Sequence, residues 1–514
     1  MLILNLPNPP ERKVTRDYAG GFGVAVRLPR IRRKGSGKPY LNLFMPYLAA
    51  VAQEFSCEYK VVDGQVLQLS ETRILETVKK LDPDIVFSMI SLPSIYEDKK
   101  TLGAVKQELP NTLVVACGSV CNAMPQEVLL RSNLDLVSND SFPYVNSVRQ
   151  LLVDSKKPYD LRKLPGFSYV KDDEVRSNPS KQQEKEFVDY QPIYDILPLK
   201  EYEQVTTSDG KRAVQIPILG SKGCPYPCSY CPYPIGFGKK AIFKKPNSVV
   251  DEIEHLNQIG VEYFDFRNQS FTLNRKWAKT ICREIINRKL DIRWACEARV
   301  DETSREILKE MQSAGCDKIY YGVETGDPTL IRVGKPGAML QNTISSFKAA
   351  REIGVLRHAH VILGLPGENR KTLQESSKFL LKIDPDSITL NFATPYPGTQ
   401  MHEIAEKNNW IITHEWKYYS SFDVVMTPPT LNAVDLYRAA MQMKNSLLKQ
   451  ERKQIFTHPN KNRFKLVTDN GFQVVMNYIH FINRIRNFRR MIKKHQTDCI
   501  DSWITTRSLS CLDR

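Results

Sequence analysis

Two alternations of apolar and polar positions run along the chain, joined by a more polar stretch. In residues 1–155, short runs rich in aliphatic and β-branched residues (LILNL, YKVVD, DIVFSMIS, NTLVVA, LDLVS) read as buried strands. Between them lie LNLFMPYLAAVAQEF, TRILETVKKL and LGAVKQEL, whose apolar positions recur at helical spacing. Strand–helix alternation predicts a doubly wound, Rossmann-like parallel sheet, with ligands beyond the carboxyl ends of its strands. Residues 156–205 are richer in charge, Pro and Ser (DSKKPYDLRKLPG, RSNPSKQQEKE) and read as a connecting segment with a strand at GFSYV.

The second alternation occupies residues 206–430. Six candidate strands, VQIPIL, YFDFR, IRWACEA, KIYYGVE, HAHVILG and SITLNFA, are interleaved with SVVDEIEHLNQIG, WAKTICREIINRK, SREILKEMQSAG and LQESSKFLLKI. This predicts a partial (β/α)6 TIM-type barrel, with its chemistry at the carboxyl ends of the strands. In residues 431–514 the β signals fade, and LNAVDLYRAAMQMKNSLLKQ and YIHFINRIRNFRRMIKKH read as helices. In the second, Phe481, Ile485, Phe488 and Ile492 share one stripe, and Arg486, Arg490, Lys493 and Lys494 lie opposite. Such a helix packs its stripe on the barrel, or lies on an anionic membrane surface. The expected fold class is therefore α/β: a Rossmann-like sheet, a partial barrel and a helical C-terminal extension.

Composition narrows the class without naming it. The 514 residues are 41% hydrophobic and 25% charged, as in an ordinary globular protein. No apolar run approaches the ~18 residues of a membrane-spanning helix. The start, MLILNLPNPP, lacks a basic leader and reads as a buried strand, not a secretory signal. A net charge of +16 suits phosphate-bearing or membrane-surface partners. Eleven irregularly spread cysteines fit a reducing cytoplasm better than a disulfide scaffold. The cluster Gly20-Gly21-Phe22-Gly23 does not lie directly between a strand and a helix, so it is not a dinucleotide fingerprint.

One tight cysteine cluster exists, in GSKGCPYPCSYCPYP just after the first barrel strand. Cys224, Cys228 and Cys231 have the spacing Cys-x3-Cys-x2-Cys, and the surrounding prolines and glycines impose an open loop. Three thiols could form a zinc clip, a chance loop or an iron–sulfur site. A structural zinc wants a fourth ligand at similar range, whereas the next His is His255 and the next Cys is Cys282. A four-iron cubane held by three thiolates leaves one iron open to an outside chelator.

With Tyr230 as the aromatic, the pattern Cys-x3-Cys-x-aromatic-Cys resembles the radical S-adenosylmethionine superfamily. The resemblance implies a 4Fe-4S cluster on Cys224, Cys228 and Cys231, with the free iron chelated by S-adenosylmethionine. It also implies cleavage of that molecule to a 5′-deoxyadenosyl radical and an electron donor such as flavodoxin or ferredoxin. YYGVETG resembles the superfamily's Gly-x-Glu segment, which sets Gly322 and Glu324 beside the methionine moiety or ribose. WACEARVD resembles a strand ending in a carboxylate-clamping Arg, here Arg299. VILGLPGEN, with Gly364, and ATPYPGT resemble the fifth and sixth strand ends. Tyr230, Arg299, Glu324, Gly322 and Gly364 are thus the implied S-adenosylmethionine contacts.

The N-terminal stretches PDIVFSMIS, VVACGSVCNAMPQEVL and DLVSND are similar to the superfamily's cobalamin-binding subgroup. This implies a corrin over strand-end loops near Ser88, Ser91, Gly118 and Ser119. The chain departs from that pattern in places. The Asp-x-His-x-x-Gly motif is absent and no histidine precedes His255, so no histidine of this unit can ligate the corrin's lower face. Cys117-Gly118 stands where two glycines are usual, and NDSFPYV replaces the Gly-Glu-Gly-Glu turn. Cys117 and Cys121 read as buried small hydrophobes or loop residues near the corrin. No cysteine precedes Cys57, which argues against the methylthiotransferases with a second three-cysteine cluster.

Together the resemblances imply a cobalamin-dependent enzyme that methylates an unactivated carbon of a small molecule. The basic tail helix and net charge tilt this toward a lipid-like, isoprenoid or phosphorylated substrate, with a natural-product intermediate also open. Oxidative cyclisation or C–C rearrangement without methyl transfer is the alternative, and a zinc-clipped nucleic-acid-binding protein is the rival outside the enzymes. Nucleic acid is otherwise not expected as a partner. The expected location is cytoplasmic, with peripheral membrane contact through the basic tail.

Overall fold

The computed structural model describes residues 1–27, 38–153, 159–179, 187, 189–208, 210–457, 481–489 and 491. All five N-terminal apolar runs form strands. Lys60–Asp63, Leu2–Asn5, Ile85–Met89, Leu113–Cys117 and Leu136–Ser138 lie parallel, side by side in that order. Chain order across them is 2-1-3-4-5, so the winding reverses between Leu2–Asn5 and Ile85–Met89. Phe167–Lys171, at the expected GFSYV strand, and Glu174–Ser177 then extend the sheet antiparallel. The DSKKP run (154–158) and the SKQQEKE run (180–186) lie outside the described residues.

The six barrel strands follow the second alternation. Arg212–Ile218, Tyr263–Phe266, Arg293–Ala298, Cys316–Glu324, Leu356–Leu363 and Ser387–Phe392 are parallel neighbours in chain order. Gln204–Thr206 pairs antiparallel with the first, and the sheet remains open. Helices Pro246–Gln258, Arg275–Asn287, Arg305–Ser313 and Arg370–Ile383 occupy the predicted stretches. Asn274, Ser304 and Asn369 each cap a helix start by accepting a backbone N–H. Two further helices, Pro328–Gly334 and Leu340–Ile353, lie between the fourth and fifth strands, where the pattern singled out none.

One helix joins the two units. Phe44–Glu54 buries nine of its 11 residues and is apolar nearly all round. Such a helix has no solvent face. Its side chains share one core with Ile3, Phe87 and Met89 of the first sheet and Ile216, Ile218 and Phe264 of the barrel.

The long helix Ala433–Thr457 packs on Arg370–Ile383, where Gln450 donates to Leu381 O at 3.0 Å and Asp384 at 2.7 Å. In the tail, Phe481 and Ile485 are buried and Phe488 packs on the same core, while Arg486 is exposed. Over these residues the stripe packs on the barrel, and Arg484 lies over the Phe392 and Tyr437 rings. Arg490, Ile492, Lys493 and Lys494 lie outside the described residues. Among the described residues no helix is long and apolar enough to cross a membrane.

Candidate active site

The cysteine loop leaves the first barrel strand through a short hairpin, Ser221–Lys222 against Ile242–Phe243. Gly223 has φ +82, and a Cβ there would stand 2.0 Å from Lys240 O, so the turn admits only glycine. Cys224 N–H donates to Gly238 O at 3.0 Å, Cys231 N–H to Cys228 O at 3.1 Å and Ser229 N–H to Gly334 O at 3.1 Å. The loop is therefore pinned on both sides while its prolines Pro225 and Pro227 stay exposed. Cys224, Cys228 and Cys231 all line one cavity of about 480 Å3 at the carboxyl ends of the barrel strands.

Of the expected S-adenosylmethionine contacts, Tyr230, Arg299, Gly322 and Glu324 line that cavity as well. Glu324 has φ +64 at a break in strand register, a costly conformation for a residue with a side chain. Its carboxylate meets Lys335 Nζ at 2.9 Å, and the same ammonium donates to Gly322 O at 2.7 Å. A Cβ on Gly322 would fall 2.4 Å from Glu324 Oε1 and 2.5 Å from Lys335 Nζ, so this glycine makes room for the pair. The Tyr230 hydroxyl is buried with no hydrogen-bond partner.

Arg299 stacks over Tyr226 at 3.7 Å and sets its Nε and Nη2 on Asp301 at 3.0 and 2.8 Å. The fork expected to clasp a methionine carboxylate is thus already filled by Asp301. Its Nη1 faces Cys228 Sγ at 3.8 Å instead. Burial pushes all three cluster thiols above their usual range, and the charges of Arg299 and Lys335 oppose this at Cys224 and Cys228. Gly364 does not reach the cavity. Its N–H donates to the Glu368 carboxylate, and its α-carbon faces Leu436 of the long helix.

Sequence patterns did not single out the deeper wall of the cavity, built from ionisable residues inside otherwise apolar strands. Asp265 (in YFDF), Glu297 (in WACEA), and His358 and His360 (in HAHVIL) all point inward, with Arg267 and Gln269 beyond the second strand. Arg267 stacks over Tyr18 at 3.8 Å and lies 3.9 Å from both Asp265 and Glu297. Burial pushes Glu297 up to about 7, against the pull of Arg267. His358 is held at 2.7 Å by Ser387 and at 2.9 Å by Thr389. Burial lowers His358 to about 3 and His360 to about 4, so both rings are neutral. Lys335 and Asp301 were also missed. Their only signals are a lysine between two glycines (GKPG) and an acid two residues past Arg299.

The four residues expected to face a corrin in the N-terminal unit, Ser88, Ser91, Gly118 and Ser119, do not line this cavity. Ser88 donates to Leu4 O at 2.8 Å, inside the sheet. Ser91 bonds Ser94 at 2.7 Å, and its N–H donates to Asp98 at 3.2 Å. Asp98 in turn pairs with the fully buried Arg16 at 2.7 Å. Ser119 donates to Gly20 O, and a Cβ on Gly118 would collide with Ile90 O at 2.5 Å. The rejected glycine cluster explains this closure. Cβ atoms on Gly21 and Gly23 would stand 2.5 Å from Ser119 Oγ and 2.6 Å from Ser91 Cβ, and one on Gly20 2.7 Å from the Pro232 backbone. The residues that reach the cavity from this side are instead Tyr18, Ala19, Val24 and Val26, on the hairpin of Arg12–Thr15 with Val24–Arg27.

This donor set suits a cluster with one open iron better than a single ion. Among the described residues, no three His, Cys, Asp or Glu side chains are grouped to hold one metal ion. Three cysteines on a pinned loop facing a roomy cavity are what a cubane with an exogenous fourth ligand requires.

Comparison with known proteins agrees. Residues 218–380 match the radical SAM superfamily. An uncharacterized methyltransferase of Pyrococcus horikoshii is 30% identical over 397 residues, 76% of this chain and 84% of that protein. An anaerobic magnesium-protoporphyrin IX monomethyl ester cyclase of Cereibacter sphaeroides is 26% identical over 401 residues, 75% of this chain and 63% of that protein. The methyltransferase TsrM of Kitasatospora setae, solved with cobalamin and a 4Fe-4S cluster, superposes with a TM-score of 0.65 at 17% identity. That match covers 87% of this chain and 88% of the other. The chain belongs to the radical S-adenosylmethionine superfamily, and it is an enzyme of that class.

Proposed function

We propose that the chain is a cobalamin-dependent radical S-adenosylmethionine C-methyltransferase acting on an unactivated carbon of a small molecule. The observation that carries this is the shared cavity, which the cysteine loop lines from the barrel and Tyr18, Ala19, Val24 and Val26 line from the N-terminal unit. The methyltransferase name of the Pyrococcus relative and the fold shared with TsrM support it. When bound, the cluster supplies the electron that cleaves S-adenosylmethionine and cobalamin carries the methyl group.

The chain's own residues have distinct tasks in this reading. Cys224, Cys228 and Cys231 hold the cluster, and Arg299, fixed by Asp301, supports the Cys228 thiolate. Glu324, oriented by Lys335, and Tyr230 hold the amino-acid and nucleoside parts of S-adenosylmethionine, with Gly322 keeping the space between them clear. Gly364 supports the site by packing on the long helix. Tyr18, Ala19, Val24 and Val26, in place of Ser88, Ser91, Gly118 and Ser119, would hold the corrin. Tyr233, Tyr320, Phe392, Tyr396 and Phe422 wall the cavity and exclude water from a reactive radical. The electron comes from a protein donor such as flavodoxin or ferredoxin.

The test is anaerobic reconstitution with iron, sulfide and hydroxocobalamin, followed by reduction with dithionite in the presence of methyl-labelled S-adenosylmethionine. Expected are 5′-deoxyadenosine and stoichiometric, tightly held cobalamin. Formation of 5′-deoxyadenosine by protein that retains no cobalamin would overturn the methyltransferase half. The cyclase relative favours a second reading, ring closure without methyl transfer. Product mass separates the two, because methylation adds a methylene unit and cyclisation removes hydrogen.

A further inference from the structure

We propose that the deep end of the cavity is the substrate subsite, and that it takes an organic molecule bearing a positively charged nitrogen, held by Glu297 and Asp265 with Gln269 beside them. The inference rests on the radical S-adenosylmethionine reading, which assigns the upper end of the cavity to that cofactor. Glu297 shares an inward face with Arg299 two residues later, which places it roughly 7 Å deeper along the strand. Asp265 pairs in register with Ala295, deeper again by one such step.

Charge decides what this end can hold. At the upper end, acids and bases are matched one to one, Lys335 with Glu324 at 2.9 Å and Arg299 with Asp301 at 2.8 Å. At the deep end, among the described residues, one guanidinium, that of Arg267, stands among Asp17, Asp265 and Glu297, and both closest approaches it makes are 3.9 Å. That separation is too long for a hydrogen bond. Arg267 is also stacked over Tyr18 at 3.8 Å, a contact that favours this position over one directly on either acid. Both amide atoms of Gln269, which lines the cavity, are buried with no partner. Buried polar atoms left this way are costly unless something arrives to pair them.

A ligand ammonium repairs both defects. It adds the missing positive charge and donates to Glu297, Asp265 and the Gln269 carbonyl, with the Tyr18 and Tyr320 rings lining the same space. A bare hydrocarbon would leave Glu297 and Gln269 unpaired, whereas Asp265 already accepts a hydrogen bond from the Tyr40 hydroxyl. The deep wall thus selects against the purely lipid-like substrate that the net charge of the chain suggests.

The test is equilibrium dialysis on cluster-loaded enzyme with S-adenosylhomocysteine saturating, so that the upper end is filled. Tryptamine is compared with 3-ethylindole, and tyramine with 4-ethylphenol. The expected result is that each amine binds about tenfold or more tightly than its neutral partner, and that Glu297→Gln and Asp265→Asn each erase most of that ratio. Equal binding within each pair, no binding by any of the four, or a ratio that survives in both variants overturns the subsite. So does displacement of the amines by S-adenosylhomocysteine, which would assign the acids to the cofactor. Failure of the parent reading looks different, because the wild-type protein would then lack cluster absorbance and would not cleave S-adenosylmethionine.

Discussion

The carboxyl end of the N-terminal sheet and the carboxyl end of the barrel obey the same topological rule and have opposite fates. Parallel α/β sheets bind ligands beyond their carboxyl ends because the loops there are free to vary. In the barrel that space is a cavity lined by cysteines, ion pairs and aromatic rings. In the N-terminal sheet it is filled by the chain itself. Arg16 reaches Leu6 O, Pro7 O and Asp98, tying the first and third strand ends together. Phe22 O accepts from Leu92 N–H at 2.7 Å, and Gly236 O from Phe142 N–H at 2.9 Å. A strand-end crevice is thus a place where a ligand or another segment can dock, and side-chain volume decides which.

Five substitutions break or sharpen this contrast. The largest effect is expected from Cys228→Ala at the open end: iron and sulfide content should collapse and 5′-deoxyadenosine formation should vanish. Ser119→Ala at the closed end should leave both unchanged and cost only the ~1 kcal/mol of one hydrogen bond in denaturant melts.

Next is Lys335→Met, which strands the Glu324 carboxylate in a site where both side chains are at most 10% exposed. Breaking a buried pair from one side costs about 3–5 kcal/mol. Calorimetry should show S-adenosylmethionine binding weakened by about tenfold or more, with the cluster retained.

Gly236→Ala tests the seam between the two ends, since its Cβ would stand 1.8 Å from Ser119 Oγ and 2.2 Å from Gly20 O. Overpacking of this kind costs about 1–3 kcal/mol. Part of the loss should be recovered in the Gly236→Ala, Ser119→Ala double variant, because one of the two clashing atoms is gone. Full additivity would mean that Ser119 does not feel the seam.

The smallest effect concerns pH. Glu368 is fully buried beside the fifth strand end, and burial raises its carboxyl from 4.5 to about 8. The folded protein keeps the proton while the unfolded chain loses it, so this group's contribution is full below 4.5 and is lost as pH rises to about 8. Glu368→Gln should flatten that decline, with Tm rising relative to wild type between pH 5 and pH 8.

Legibility followed periodicity. Every predicted strand of both sheets is present, because buried parallel strands need unbroken apolar runs that few other elements tolerate. The cysteine loop was equally legible, since its ligands lie within one short segment. The ion pairs were not. Lys335 meets Glu324 across a helix and a turn, and Glu297, Asp265 and His360 meet only when three separate strands curl together. The glycine cluster at 20–23 was legible as an oddity but not as a seam, because its partners, Ser91, Ser119 and Pro232, are distant in sequence.

By itself, the sequence determined two parallel sheets, their order and a three-thiol loop at the head of the second. These depend on local spacing, where period and residue type suffice. Only the tertiary structure decided that one strand-end crevice is sealed by glycine contacts and the other is open. Only there does the acid-rich deep wall exist, set below the matched ion pairs. Such outcomes depend on atoms brought within a few ångströms by the curl of a sheet, and no local pattern records which side chains will share that space.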